Sequence, residues 1–337
     1  MLSENLASAI RIARYIQWVP NAERLAANVL KNSSADAIDQ EIVRKVLGST
    51  RYRLTATHGL TINPRLSGTE KTGVVMFIGL VNCADDIVDG DRRRYANPKE
   101  LEEFLLSQPA GLKISSPPTI LEFKDRVLAK FPQSKQDIVN NFLQEALAVE
   151  VNDRNKDHNA YTFADAVEYR ERTAKEYARA SALLAGMTDT KALAGFEAFA
   201  MAIQILDDCV DWPHDIGFGI RTPVTEMARM QGEINKLQAI ASQIRTSVGR
   251  KALLKNEEED RFGLKSAHAR EGILQLPATQ SGMREYLEVV IGQTHTAPVR
   301  YVLSKMGNYL MGDPGIGENM MRLLDFYQES NSRRVRR

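Results

Sequence analysis

Residues 79–94 read GLVNCADDIVDGDRRR, and residues 200–217 read AMAIQILDDCVDWPHDIG. In each, a nearly uncharged apolar run passes straight into acids and then meets a helix breaker, Gly90 in the first and the stretch from Pro213 to Gly217 in the second. The acids are Asp85, Asp86, Asp89 and Asp91 in one, and Asp207, Asp208, Asp211 and Asp215 in the other. They fall at helix C-termini, where the macrodipole is already negative. Asp85 and Asp89, Asp207 and Asp211, and Asp211 and Asp215 are like charges one turn apart, each pair unfavourable by roughly 0.2–0.5 kcal/mol on an isolated helix. No Lys or Arg stands between the acids of either cluster. A chain that makes this unfavourable choice twice implies a cation that offsets it.

Outward from these stretches the pattern is helical throughout, with almost no strict apolar/polar alternation. Prolines 20, 64, 117, 118, 132, 213, 223, 277 and 314 punctuate the chain. Between them lie segments of helical length, among them Thr119 to Phe131, Lys135 to Val151, Phe163 to Ala185 and Asp189 to Trp212. Ser3, Asn21, Ser134, Thr162 and Thr222 stand where N-caps belong, and Gly90, Gly186 and Gly217 follow helical runs. Pro213 restricts Trp212 and is expected to end its helix there, which would take Asp215 out of line with Asp207 and Asp211. The stretch from Gly249 to Gln280 is rich in charge and is expected to contain a loop. The expected fold is all-α: a single-domain bundle of about a dozen helices around a central apolar cavity, spanning residues 1–329, with a basic disordered tail at 330–337.

Composition excludes several classes. The 337 residues are 43% hydrophobic and 26% charged, which is an ordinary globular balance. Lys plus Arg total 44 against 43 for Asp plus Glu, a net charge of +1 that gives no footing for nucleic acid. Cys83 and Cys209 are too few for a disulfide framework and read as small buried side chains in a reducing, cytoplasmic setting. The most apolar stretch, Val74 to Ala84, is too short to span a bilayer and reads as a core helix. The first twenty residues read as an amphipathic helix and carry no secretory pattern. His58, His158, His214, His268 and His295 form no ligand spacing.

Carboxylate oxygens without imidazole or thiolate favour magnesium, with manganese as its substitute, over zinc. Residues at i and i+4 share a helix face, so Asp85 with Asp89, and Asp207 with Asp211, can each point into one cavity. Two clusters of this kind facing each other could hold a metal-bridged diphosphate. The metals would neutralise the departing diphosphate of an allylic ester. The turn DDIVDG is not an EF-hand loop, because its third position is Ile87.

At these residues the chain resembles the class I isoprenoid synthases, nearest to the squalene and phytoene synthase group. Asp85, Asp86 and Asp89 match that family's D-D-x-x-D helix end, and Asp207, Asp211 and Asp215 match its second acidic helix, with Gln204 ahead of them. Residues 149–186, VEVNDRNKDHNAYTFADAVEYRERTAKEYARASALLAG, are similar to the stretch between the motifs. There Asp153, Phe163 and Tyr169 fall in pattern, followed by the small residues Ala178, Ser181, Ala182 and Gly186. The similarity covers roughly residues 70 to 225. Asp207 and Val210 stand where the squalene and phytoene group usually carries Asn and Arg.

The resemblance implies coupling of two prenyl diphosphates, farnesyl or geranylgeranyl. Asp85, Asp86, Asp89, Asp207, Asp208, Asp211 and Asp215 would hold magnesium. Arg92, Arg93, Arg172, Lys175 and Arg221 would hold diphosphate, and Tyr169 would join the catalytic set. Asp207, Asp208 and Asp211 also satisfy the D-D-x-x-D of head-to-tail polyprenyl synthases, so elongation and terpene cyclisation stay open. A helical scaffold without catalysis is the alternative from another class. An apolar product admits peripheral contact with a membrane surface, and the resemblance admits a homodimer.

Overall fold

A computed structural model describes residues 66–90, 118–154, 156, 160–217, 219–252, 262–294 and 297–313. Among these residues the secondary structure is helical and contains no strand. The helices are α1 (Gly68–Gly90), α2 (Pro118–Leu128), α3 (Gln133–Arg154), α4 (Phe163–Arg170), α5 (Glu176–Leu184), α6 (Thr190–Asp215), α7 (Pro223–Met230), α8 (Ile234–Ala252), α9 (Phe262–Ile273), α10 (Pro277–Gly292) and α11 (Ala297–Leu310). A π-helical turn, Glu171–Lys175, joins α4 to α5. None of these helices is long and apolar enough to cross a membrane.

The helices gather into two compact units, and the chain passes between them after residue 155, within α5 and again just before α6. The first unit holds α1, α2, α3 and the end of α5. Its centre is the apolar run of α1, in which Val74, Val75, Met76, Phe77, Ile78 and Leu80 are all buried. A helix buried on this many sides needs partners all round, and α2 supplies one through Phe123 and Val127. Phe142 of α3 meets Phe77 edge-to-face with ring centroids 5.4 Å apart. Ser67 caps α1 reciprocally with Glu70, and Lys135 donates to both Glu70, at 2.7 Å, and the Leu184 carbonyl, at 2.9 Å. One ammonium thereby ties the start of α1, the start of α3 and the end of α5.

The second unit is built around α6, which packs against α7, α8, α9, α10, α11 and the π turn. Its core includes Met201, Ile205, Leu206, Val210, Trp212, Leu237, Ile273, Leu287 and Leu310. Trp212 is fully buried and donates its indole N–H to the Ala269 carbonyl at 3.2 Å. Beside it Gly272 leaves no room for a side chain, since a Cβ there would lie 2.4 Å from Trp212 Cζ2.

Several boundaries depart from those the sequence predicts. The helix does not end at Trp212. It runs through Pro213 to Asp215, because a proline this close to the C-terminus forfeits only the bond to the Cys209 carbonyl while the turn below it still closes, Ile216 N–H donating to Trp212 O at 3.1 Å. Ser134 lies inside α3, which starts at Gln133 directly after Pro132. Thr162 and Thr222 do cap α4 and α7, each within a reciprocal capping box. Gly186 closes α5 at φ +79°, where the Met187 N–H returns to the Ala182 carbonyl. The charge-rich region after Gly249 contains the end of α8, all of α9 and a connection at 253–261 outside the described residues.

Candidate functional site

The second acid motif occupies the last three turns of α6. On a helix at about 100° per residue, 208 and 215 fall within about 20° of each other, while 207 and 211 share an adjoining stripe. The structure divides the four acids accordingly. Asp208 and Asp215 are buried, whereas Asp207 and Asp211 are half-buried one turn apart.

Asp208 does not point outward. Its carboxylate is taken from both sides by Arg170 of α4, Nη2 donating to Oδ1 at 2.8 Å and Nε to Oδ2 at 3.1 Å. Gln204, one turn earlier, adds a longer contact from Nε2 to Oδ1 at 3.4 Å. Burial pushes the Asp208 carboxyl up to about 7 against the pull of the Arg170 guanidinium, and the neighbouring Asp215 and Asp207 add to the rise. A fork-to-fork pair of this kind satisfies the carboxylate inside the protein and ties α6 to α4. Burial likewise raises Asp215, whose Oδ1 lies 3.9 Å from His214 Nδ1. The thiol of Cys209 faces the core and is pushed up by burial, as its reading as a small packing residue requires.

Arg170 was not legible as a site residue from motif spacing, but a signal for it exists. It stands one turn from Ala166 and one turn from Ala174, both buried, so an arginine sits in the inward stripe of α4. An arginine among small buried residues needs an acid opposite, and Asp208 is that acid. Tyr169, next in sequence, lies half-buried with the Arg170 guanidinium 5.3 Å from its ring centroid. The π turn that follows, ERTAK, inserts an extra residue immediately after this anchor. Such turns occur frequently at functional sites.

The basic residues expected to hold diphosphate separate. Arg221 is committed elsewhere: it donates to both oxygens of buried Glu226, at 2.7 and 2.5 Å, and to the Tyr161 carbonyl at 2.9 Å, with its guanidinium 4.4 Å from the Tyr161 ring centroid. That arrangement latches the segment after the acid motif onto α7 and the entry to α4. Nε and Nη2 of Arg221 are thereby engaged, largely by a buried acid that nothing in the spacing had singled out. Arg172 is exposed. Lys175 holds Glu171 at 2.6 Å and lines an open cleft of about 420 Å³ beside the first half of α6.

Of the first motif, the backbone of α1 carries Asp85, Asp86 and Asp89 within its last two turns, ending at Gly90. The side chains of Asp85, Asp86 and Asp89 lie outside the described residues, as do Asp91, Arg92, Arg93 and Arg94. Among the described residues, no group of three or more His, Cys, Asp and Glu side chains converges to hold a metal ion. What α6 offers is a pair of hard oxygen donors, Asp207 and Asp211, a number that suits magnesium, which commonly takes one or two carboxylates and completes its shell with water and phosphate. No protein-family model matches the chain, and no curated protein matches it.

Proposed function

We propose that the chain is a magnesium-dependent enzyme of the class I isoprenoid synthase kind, ionising prenyl diphosphates and coupling two of them as squalene and phytoene synthases do. The observation that supports this most directly is the end of α6. Two half-exposed carboxylates, Asp207 and Asp211, stand one turn apart on a helix whose next acid, Asp208, is neutralised from within by Arg170. An anchored helix end presenting paired oxygens is what a divalent ion bound to a diphosphate needs. The buried stripe of α6 preceding it, Met201, Ile205 and Leu206, makes the helix rigid in the core.

In this reading each acid pair, Asp207 with Asp211 and Asp85 with Asp89, is a magnesium ligand set. When bound, the metal neutralises the charge that collects on the departing diphosphate. Arg170 fixes the rotation of α6 through Asp208, so that Asp207 and Asp211 stay on the adjoining stripe. Tyr169, carried on the same turn as Arg170, is the aromatic residue placed closest in sequence to that anchor and completes the proposed set.

Diphosphate release is measured with farnesyl and geranylgeranyl diphosphate, each alone, with and without magnesium, followed by extraction of the organic phase. Metal-dependent release with a product of twice the substrate's carbon number is the expected outcome. A cyclised product of unchanged carbon number would move the reading to terpene cyclisation, and activity only after addition of isopentenyl diphosphate would move it to elongation. Asp85→Ala and Asp211→Ala should each lower the rate by more than the roughly 10–100-fold that loss of an outer partner of a metal ligand costs. Unchanged rates in both would remove the metal assignment.

A further inference from the structure

The cleft beside the first half of α6 is lined, among the described residues, by Lys175, Lys191, Gly195, Glu197, Gln293, Thr294 and Arg300, with Ala194 and Ala198 completing it. Three cations reach it from three different elements: the end of the π turn, the second residue of α6 and the first turns of α11. Two of them are placed against the helix dipole. Lys191 and Arg300 sit near helix N-termini, where the dipole is already positive; neither helix carries an acid in its first turn, and Asp189 stands just before α6. Among the described residues no acid is paired with either one, whereas Lys175 is steadied by Glu171 at 2.6 Å. This is the mirror image of the acid motifs, a concentration of one charge where the local field disfavours it, and an anion would offset it.

The shape agrees. Ala194, Gly195 and Ala198 put almost no side chain into the recess, which is why about 420 Å³ stays open between the cations. That volume lies in the range of small-molecule sites, roughly 300–1,000 Å³. A planar guanidinium with two ammonium groups matches phosphate oxygens, and Gln293 and Thr294 add neutral polar groups at the rim. Glu197 is the one acid among the described lining residues, so the cations outnumber it. The cleft's lining on α6 ends at Ala198, about 14 Å along the helix from Asp207 at 1.5 Å per residue, and Lys191 lies about 24 Å from it.

We propose that this cleft binds a phosphate- or diphosphate-bearing small molecule without a metal, through Lys175, Lys191 and Arg300. The site does not depend on the prenyl diphosphate reading: it shares Lys175 with the diphosphate-holding residues that the resemblance implies, but Lys191 and Arg300 lie outside that set and no metal is required.

The test is calorimetric titration of the full chain with inorganic diphosphate in the presence of a chelator, so that no magnesium is available. One binding event is expected, weakened about tenfold by Lys191→Gln and again by Arg300→Gln, as loss of a charge-assisted hydrogen bond predicts. Lys124→Gln, which removes the same charge from α2, should leave the affinity as it was. A parallel arm uses phosphatidylcholine vesicles with and without phosphatidate. Binding that needs both phosphatidate and Lys191 would assign the same chemistry to a lipid headgroup instead of a dissolved ligand. Absence of binding in both arms, or an equal loss in Lys124→Gln, overturns the proposal. Failure of prenyl diphosphate turnover would leave this result untouched, since magnesium is absent throughout.

Discussion

Arg170 and Asp208 form the most consequential pair of side chains in the second unit, with the acid 3% and the arginine 15% exposed. Removing one member of a buried pair strands the other charge, at a cost of about 3–5 kcal/mol, whereas replacing both with apolar groups is often close to neutral. Arg170→Met is therefore expected to lower the urea midpoint steeply, and Arg170→Met combined with Asp208→Leu to restore most of it. Equal losses in the single and double variants would mean that the pair contributes packing and not charge compensation. A second residue-scale test sets two effects against each other at Gly272. Alanine gains about 0.5–1 kcal/mol over glycine inside a helix, but its Cβ would stand 2.4 Å from Trp212 Cζ2, and overpacking of this kind costs about 1–3 kcal/mol. The clash should win because Trp212 is fully buried and bonded to Ala269, leaving it nowhere to move. Gly292→Ala, with nothing within 4 Å of the added atom, should be neutral or slightly stabilising in the same thermal melt.

At the scale of elements, α4 shows what a sequence can and cannot reveal about a helix. Its start is written in Thr162 and Asp165, whose side chains and backbone N–H groups satisfy one another at 2.9 and 3.3 Å, with Lys156 adding an ion pair at 3.0 Å. Hydrogen bonds from Thr162, then from Lys156, hold the Asp165 carboxyl down to about 2. Its folded value lies below its unfolded one, so the stabilisation is present above about pH 4 and is lost as the pH falls toward 2. Asp165→Asn should be less stable than the parent at pH 6, with the difference shrinking as the pH falls through 2 and gone below it. Thr162→Ala should cost about 1 kcal/mol at neutral pH. Caps, prolines and apolar periodicity located α2, α3, α4 with α5, and α6 to within a few residues, because those signals are local. The π turn at Glu171–Lys175 was not legible, since ERTAK carries no breaker and reads as ordinary helix. The passage of α6 through Pro213 was missed for the opposite reason. A strong local breaker was overruled by the packing of Trp212 beneath it.

At the scale of the whole molecule, the all-helical class was legible because period and punctuation agree along the chain, and the acid motifs were legible because they break two local rules at once. The partner of Asp208 was not, since Arg170 reaches it across 38 residues, and neither was the buried Glu226 that holds Arg221. Charge placed against the helix dipole occurs at both ends of α6, acids at its C-terminus and Lys191 at its N-terminus, so ligand binding should register as stability at two separable sites. A ligand that binds only the folded chain raises stability by RT ln(1 + [L]/Kd), about 2.7 kcal/mol at one hundred times Kd. Inorganic diphosphate with a chelator should raise the unfolding midpoint through the cleft alone, and adding magnesium should raise it further through the acid motifs. Lys191→Gln, binding about tenfold more weakly, should then cut the first increment to about half and spare the second, while Asp211→Ala should leave the first and remove the second. If Asp211→Ala removed both increments, the two ends of α6 would be one coupled site. If neither variant altered either increment, diphosphate and magnesium would bind elsewhere on the chain and both assignments would fall.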